Sequence, residues 1–309
     1  MTDAIPAPAS AAVRAMGTDG GVDFELTLHR RELLPGRLAA GVVRLTFQRD
    51  VEVRGIVASL IATEQWQWER TDRDSQGHTS STTVTEREEL RRLPIMLDGP
   101  ATHSTGDTRE FRLELPVPPL GPATFEGTVS RLTWLLEVKL DVPGFDPSIE
   151  LDVVVLQPTA LLSAGVIDVA QFALWPSADA ISGDASASIM LDPVPVCVGA
   201  AFGGLLSITS EVTKLQEVRL ELRTKVEATV SSGLHEEITL WTSRIAGEGE
   251  FGGAARATTF NGELPARWLP TIRLPHGRSD AQFHVILAKA LARDTHLVRD
   301  VAICSTTEL

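Results

Sequence analysis

The sequence predicts an all-β protein made of two tandem antiparallel β-sandwich domains. Three observations carry this prediction. Apolar residues recur with a period of two along many segments. Clusters of Gly and Pro separate these segments. The order of elements in the first half of the chain then recurs in the second half. Helical periodicity is scarce, so a fold of alternating strands and helices is disfavoured.

Alternation is clearest in four segments, which are Val22 to Leu28, Phe111 to Val117, Leu132 to Val142 and Val218 to Val226, and only Leu135 breaks the polar side of the third. Each has one apolar and one polar face, which is typical of a strand with one buried and one solvated side. The stretch from Ala281 to Ala292 fits a strand or a helix, and its β-branched and aromatic start favours a strand.

An internal repeat has an offset of 163 residues. It pairs Leu28 with Leu191, Gly36 with Gly199, Gly41 with Gly204 and Thr46 with Thr209. The shared order of strand, Gly-containing bend and second strand predicts a tandem duplication of one β-domain. We therefore expect a disordered tail at residues 1–20, domains at residues 21–157 and 184–309, and a connection at residues 158–183.

Composition limits the function classes. The length of 309 residues suits two domains of about 150 residues each. The net charge of −13 and the pI near 5.0 disfavour a general nucleic-acid binder and electrostatic adhesion to an anionic membrane. No apolar run is long enough for a membrane helix, so we expect no membrane insertion.

Cysteine usage and the first residues bear on the compartment. The two cysteines, Cys197 and Cys304, are too few for a disulfide framework, and a bridge requires the fold to bring them together. The chain starts without a charged region followed by an apolar run, so we do not expect a signal peptide. The expected location is cytoplasmic.

The run from Phe111 to Val142 resembles the middle of an arrestin N-domain. It contains an aromatic-led strand ending in Leu-Pro, a Thr-Phe-Glu-Gly turn from Thr124 to Gly127, and a long alternating strand. Upstream, Leu33 to Leu45 resembles the family's Pro-Gly bend, and Val53 to Trp66 resembles its Gly-Ile strand. The resemblance covers residues 21–305 and is looser in the second half.

This resemblance implies two immunoglobulin-like sandwiches, joined by a short hinge and acting as an adaptor or scaffold for other proteins. The family includes bacterial sporulation-control proteins of arrestin shape. The chain departs from animal arrestins, because it has no Tyr and therefore no Pro-Pro-x-Tyr motif. Receptor trafficking of the eukaryotic type is not implied.

Catalytic and cofactor motifs are missing from the sequence. There is no nucleophile elbow, phosphate-binding loop or dinucleotide fingerprint, and the seven histidines do not have metal-ligand spacing. We expect no catalytic residue, metal or cofactor, and interpret the carboxylates of Glu86 to Leu90 as a solvated face. The alternative is a sandwich that binds a small ligand or carbohydrate, with or without hydrolase activity. Its aromatic platform would have to come from the 5% of residues that are aromatic.

The polar tract from Glu69 to Glu89 predicts a long mobile hairpin that cannot form a core. The resemblance implies that a loop at this place contacts the partner, which makes Arg70, Arg73 and His78 candidate partner-binding residues. The alternative is a flexible loop without a role. Edge strands of the predicted sheets could also pair two copies into a homodimer.

Four further residues are candidate partner-binding positions. Trp66 and Trp68 belong to a residue type enriched at the centres of interfaces, but their parity continues the apolar face of the strand and favours core packing. Arg30 and Arg31 follow the first alternating strand, where the resemblance implies basic residues that sense phosphate. The other interpretation is that the two arginines are an ordinary exposed pair.

Overall fold

The structure is a computed structural model. It describes residues 12–158, 180–182, 185–192, 195–210, 215–230, 233–248, 250, 255–289 and 293–305. The predicted all-β class is confirmed, because strands dominate this part of the chain and it contains no helix. No described segment is therefore a helix that could span a membrane.

Strand bounds are as follows: β1 Val13–Asp19, β2 Val22–Leu28, β3 Glu32–Leu33, β4 Leu38–Phe47, β5 Val51–Val53, β6 Gly55–Arg73, β7 Thr79–Asp98, β8 Ala101–His103, β9 Thr108–Pro116, β10 Phe125–Glu126, β11 Ser130–Asp141, β12 Ser148–Val155, β13 Ala180–Ser182, β14 Ala185–Asp192, β15 Val196–Cys197, β16 Ala201–Ser210, β17 Leu215–Ala228, β18 His235–Gly247, β19 Ala255–Glu263, β20 Ile272–Arg273, β21 Gly277–Lys289, β22 Thr295–Val301 and β23 Ile303–Cys304. The four alternating segments correspond to β2, β9, β11 and β17. Strand β21 shows that Ala281 to Lys289 is extended, and the rest of that ambiguous stretch lies outside the described residues.

In the first half of the chain, the strands form two main sheets. One has the order β1-β2-β4-β9, and the other has the order β3-β12-β11-β6-β7 with β10 paired to β11. Along β2 and β11 every second side chain is buried, so each sheet has an apolar face and a solvated face. Burial of these apolar faces gives this half its sandwich character.

In the second half, the strands again form two main sheets, and β15 and β23 form a separate two-stranded sheet. One sheet has the order β13-β14-β16-β19, and the other has the order β18-β17-β21-β20 with β22 paired to β21. The core of this half combines buried side chains from both sheets, such as Leu206 from the first and Leu220 and Phe283 from the second. Two sheets packed through apolar faces are a β-sandwich.

Two pairs of glycines at the offset of the internal repeat share their local geometry. Gly36 and Gly199 both have positive φ, at 75° and 67°, which favours glycine at each position. A Cβ at Gly41 would collide with the carbonyl oxygen of Thr27, and a Cβ at Gly204 would collide with that of Met190. At both positions, a neighbouring strand therefore comes too close to the glycine to leave room for a side chain.

Not all strand pairs are antiparallel. Strand β3 runs parallel to β12, and β15 runs parallel to β23. The antiparallel prediction missed both pairs because β3 and β15 have only two residues each, too few to show a period of two. Their equivalent positions in the two halves add a further element to the repeat.

The predicted disordered tail and the predicted connection both contain strands. Val13–Asp19 pairs with β2 through a turn at Gly20 and Gly21, both at positive φ. This edge strand exposes most of its side chains, which explains why no apolar alternation marked it. Within residues 158–183, β13 pairs with β14, while residues 159–179 lie outside the described part.

Contacts divide the chain into two compact units. The first contains residues 1–64, 87–124 and 132–156, and the second contains residues 65–86, 125–131 and 157–309. The tip of the β6–β7 hairpin is thus grouped with the second half of the chain. The sequence boundaries remain a prediction.

Candidate protein-binding site

Strands β6 and β7 continue beyond the core as a two-stranded ribbon, here defined as residues 69–83. Every residue of the ribbon is exposed, so both faces of its strands meet solvent. A two-stranded segment without a buried face gains no hydrophobic stabilisation of its own. The predicted hairpin is confirmed, and it contains regular strands where the sequence suggested a loop.

The turn of the ribbon is organised by Asp74. Its Oδ1 accepts hydrogen bonds from the backbone N–H groups of Gln76 at 2.8 Å and His78 at 2.9 Å. The backbone N–H of His78 is the main reason that the pKa of Asp74 lies below its ordinary value. Gly77 has a φ of 89°, which the turn requires and glycine adopts readily. The side chain of Asp74 thus replaces missing core contacts with local hydrogen bonds.

The three ribbon residues predicted from the sequence lie around this turn. Arg70 Nε donates to Asp72 at 3.0 Å, and Arg73 Nε donates to the carbonyl of Gly77 at 3.4 Å. His78 Nδ1 lies 3.1 Å from Asp74 Oδ2, and its side chain is 76% exposed. The three residues are close in sequence and accessible, and their contacts are local. Exposed pairs of this kind add little stability.

The ribbon also presents hydroxyl groups. Thr71 Oγ1 and Ser81 Oγ face each other across it at 3.4 Å. On β7 the run from Thr79 to Thr83 consists of Ser and Thr alone, and all five residues are exposed. Hydroxyl groups both donate and accept hydrogen bonds, so the surface suits polar contacts with another backbone.

The two tryptophans lie below the ribbon and not on its surface. Trp66 is 6% exposed and stacks on His276, with ring centroids 3.8 Å apart and planes 14° apart. Trp68 is half-buried, and its backbone forms an antiparallel bridge with Gly233. Trp66 is packed in the core, as the parity of its position in the sequence favoured. The buried indole anchors the base of the ribbon and is not accessible to a partner.

Arg30 and Arg31 belong to the loop between β2 and β3, in the other unit. Arg30 lines a pocket of about 340 Å³ together with His29 and Arg37. Arg31 is exposed, and its carbonyl accepts a hydrogen bond from Val154 at 3.0 Å. The two arginines therefore belong to the first unit, whereas the ribbon belongs to the second.

A cluster of ion pairs covers the solvated face of the sheet formed by β7, β6 and β11. Arg92 contacts Glu89 at 2.8 Å and Glu137 at 2.6 Å, and Lys139 contacts Asp146 at 2.7 Å. The charges along the wall of the adjoining pocket, about 270 Å³ in volume, are thus largely paired with each other. This pocket lacks the aromatic side chains that a carbohydrate platform requires.

The sequence reasoning overlooked the outer edge of β7. Among the described strands none pairs with this edge, which lies at the end of its sheet. Glu86 to Glu89 are exposed, as predicted for a solvated face. The signal in the sequence is the order of charges from Glu88 to Arg92, two acids and two bases on either side of Leu90.

Comparisons with known proteins do not identify the chain. No family model matches it, and no curated protein matches it. Within the described segments, no group of three or more His, Cys, Asp or Glu residues could hold a metal ion.

Proposed function

We propose that the chain is a non-enzymatic adaptor of the arrestin-like type, which binds another protein through the ribbon. Its architecture in this proposal is two tandem immunoglobulin-like β-sandwiches. The observation that carries the proposal is the exposure of residues 69–83 on both faces of a regular two-stranded hairpin.

Two features support the architecture. Each half of the chain has a four-stranded antiparallel sheet and a short parallel pair, β3–β12 in the first half and β15–β23 in the second. Gly41 and Gly204, which the sequence repeat pairs, each lie against a backbone carbonyl oxygen of a neighbouring strand. A duplicated sandwich explains both features with one ancestral unit.

The ribbon supports binding to a protein rather than to a small molecule. It offers two exposed strands, a row of hydroxyl groups and the polar side chains Arg70, Arg73 and His78, all of them exposed. Exposed strands recognise other chains by adding a strand, with main-chain hydrogen bonds providing affinity. The turn fixed by Asp74 reduces the ordering cost of such binding.

A crosslinking experiment tests this proposal. A photoreactive residue at position 80 in the ribbon should capture one dominant protein in native cells, whereas the same group at exposed Glu52 on β5 should not. Shortening the ribbon symmetrically around its turn should abolish capture. Equal capture from both positions, or from the shortened chain, would refute a role for the ribbon.

A side-chain variant then separates the two sources of affinity. Replacing Arg70, Arg73 and His78 with Ser keeps the length and strands of the ribbon but removes its basic side chains. Lost capture assigns recognition to these three side chains, and retained capture assigns it to the rest of the ribbon. Circular dichroism checks that each variant keeps its β-structure.

The cytoplasm is the proposed compartment, and the disulfide between Cys197 and Cys304 allows a test of it. Cytoplasmic thiols are normally kept reduced, whereas disulfides persist in oxidising compartments. Cells should be quenched in acid, and the denatured protein alkylated and analysed by mass spectrometry. Two alkylated cysteines support a cytoplasmic location, and a preserved disulfide argues against it.

A further inference from the structure

Strand β7 is a long edge strand without a neighbour on its outer side. It spans 20 residues, and most of them are exposed. In the described part of the fold, no other strand covers this edge. Pro94 lies within it, and proline is tolerated in strands mainly at such edges because it has no N–H to donate. An unpaired edge of this length is a template for another strand.

The charges in the middle of β7 are arranged symmetrically about Leu90. The sequence reads Glu88, Glu89, Leu90, Arg91, Arg92, so each acid has a base at the same distance on the other side of Leu90. An antiparallel partner with the same sequence would therefore meet opposite charge at each of these positions. A two-fold axis pairs a surface with itself, which is what this symmetry requires.

We propose that β7 pairs antiparallel with β7 of a second copy of this chain, with Leu90 opposite Leu90. Glu88 then lies opposite Arg92 of the second copy, and Glu89 lies opposite Arg91. Opposite charges on facing strands stabilise a sheet, and the two-fold axis makes each pair occur twice. Beyond them, Val84 lies opposite Met96 of the second copy. The Met96 side chain is 66% exposed in the single chain.

Only this register matches the charges throughout. A shift by one residue in one direction places Arg87 opposite Arg92, which are like charges. A shift in the other direction leaves only the Glu89–Arg92 pair. Shifts by two residues place Glu89 opposite Glu89, or Arg91 opposite Arg91. Like charges directly opposite each other destabilise a sheet, so the sequence favours one alignment.

The contacts within one chain are compatible with this pairing. Arg91 donates to the carbonyl of Leu120 at 3.0 Å but has no carboxylate partner among the described contacts. Glu89 of the second copy would supply one. Arg92 is held on the solvated face by Glu89 and Glu137, so its guanidinium is already ordered when Glu88 of the second copy approaches. The charge pairs all lie outside residues 69–83, so the argument for this pairing does not depend on the proposed function of the ribbon.

Charge exchange in the full chain tests the pairing. By sedimentation velocity at low salt and over a wide concentration range, the wild type should form a reversible dimer. Glu89→Arg and Arg91→Glu should each weaken the dimer at least about ten-fold, since each creates like-charge pairs. An equimolar mixture of the two variants should restore a dimer, because their strands are complementary. The double variant E89R/R91E should also dimerise, because it restores both pairs.

Matched controls carry the same charge changes on the same strand. In the proposed register Glu86 faces Pro94 and Arg87 faces Leu93, so Glu86→Arg and Arg87→Glu should leave dimerisation nearly unchanged. Thermal melts confirm that each variant is folded. A wild type that stays monomeric at every concentration overturns the proposal and leaves the edge to a strand of another protein. Dimers that persist in both single variants, or a monomeric double variant, overturn it equally.

Discussion

His103 stacks on Phe47 in the interior of the first unit, with ring centroids 4.1 Å apart and planes 12° apart. The imidazole belongs to β8 and is 1% exposed. Neither of its ring nitrogens has a hydrogen-bond partner among the described residues. Burial, helped by the positive charge of Arg109, lowers the pKa of His103 below 6.5. The folded state therefore holds this imidazole neutral.

This contact makes stability depend on pH. Well above pH 6.5 the side chain is neutral in both states, and its contribution is fully present. As the pH falls through 6.5, the unfolded chain takes up a proton that the folded chain resists, so the free energy of unfolding decreases. Urea denaturation at about pH 7.5 and about pH 5 should show a smaller decrease for His103→Phe than for the wild type.

A second histidine bears on the size of that difference. Burial also lowers the pKa of His284, so some pH dependence should remain in His103→Phe. An unchanged dependence in His103→Phe would show that protonation of this imidazole does not limit stability.

The Asp74 turn should be locally important and globally neutral. Asp74→Ala removes the acceptor for the N–H groups of Gln76 and His78, so these amides should exchange with solvent faster. The ribbon is exposed, so the free energy of unfolding should change by no more than about 0.5 kcal/mol. Hydrogen exchange followed by mass spectrometry or NMR gives both quantities. Asp74→Asn keeps the Oδ1 acceptor and should behave like the wild type.

Much of the fold was predictable because the alternation of buried and exposed side chains extends over many residues. Strands β2, β11 and β17 are long and half-buried, so the period of two is unambiguous in each. The two-residue strands β3 and β15 carry no period, and the exposed edge strand β1 has little apolar alternation. The period of two in the sequence arises from the burial of every second side chain. Strands that bury few side chains therefore show only a weak period.

The candidate site was predictable only in part. The composition of residues 69–83 indicated an exposed hairpin, since such a tract cannot form a core. The contact between Trp66 and His276 joins residues more than two hundred positions apart, and no local pattern reveals such a partner. The unpaired edge of β7 is likewise a consequence of sheet order, which only the fold determines.

The disulfide should make a large contribution to stability. Cys197 and Cys304 are neighbours in the parallel pair β15–β23, both are buried, and they are 107 residues apart in sequence. Closing so long a loop restricts the unfolded chain, and loss of a native disulfide typically costs about 2–5 kcal/mol. Guanidinium denaturation of the oxidised chain, the reduced chain and C197A/C304A should show this decrease for the last two. Equal stability of all three would contradict it.

The repeated glycines give the most direct test of the duplication. In the ladders Leu28 faces Gly41 and Leu191 faces Gly204, and at both glycines a methyl group would strike a neighbouring carbonyl oxygen. Gly41→Ala and Gly204→Ala should therefore each lower the free energy of unfolding by about 1–3 kcal/mol. Gly99 is the matched control, because nothing lies within 4 Å of a Cβ there.

Urea denaturation followed by circular dichroism measures the three glycine variants under the same conditions. Gly99→Ala should have nearly the stability of the wild type, since the added methyl group meets open space. A large loss at Gly41 with none at Gly204 would mean that the second half tolerates the methyl group by a backbone shift. The equivalence of the two positions would then be limited to strand order, because the close approach would no longer be a shared requirement.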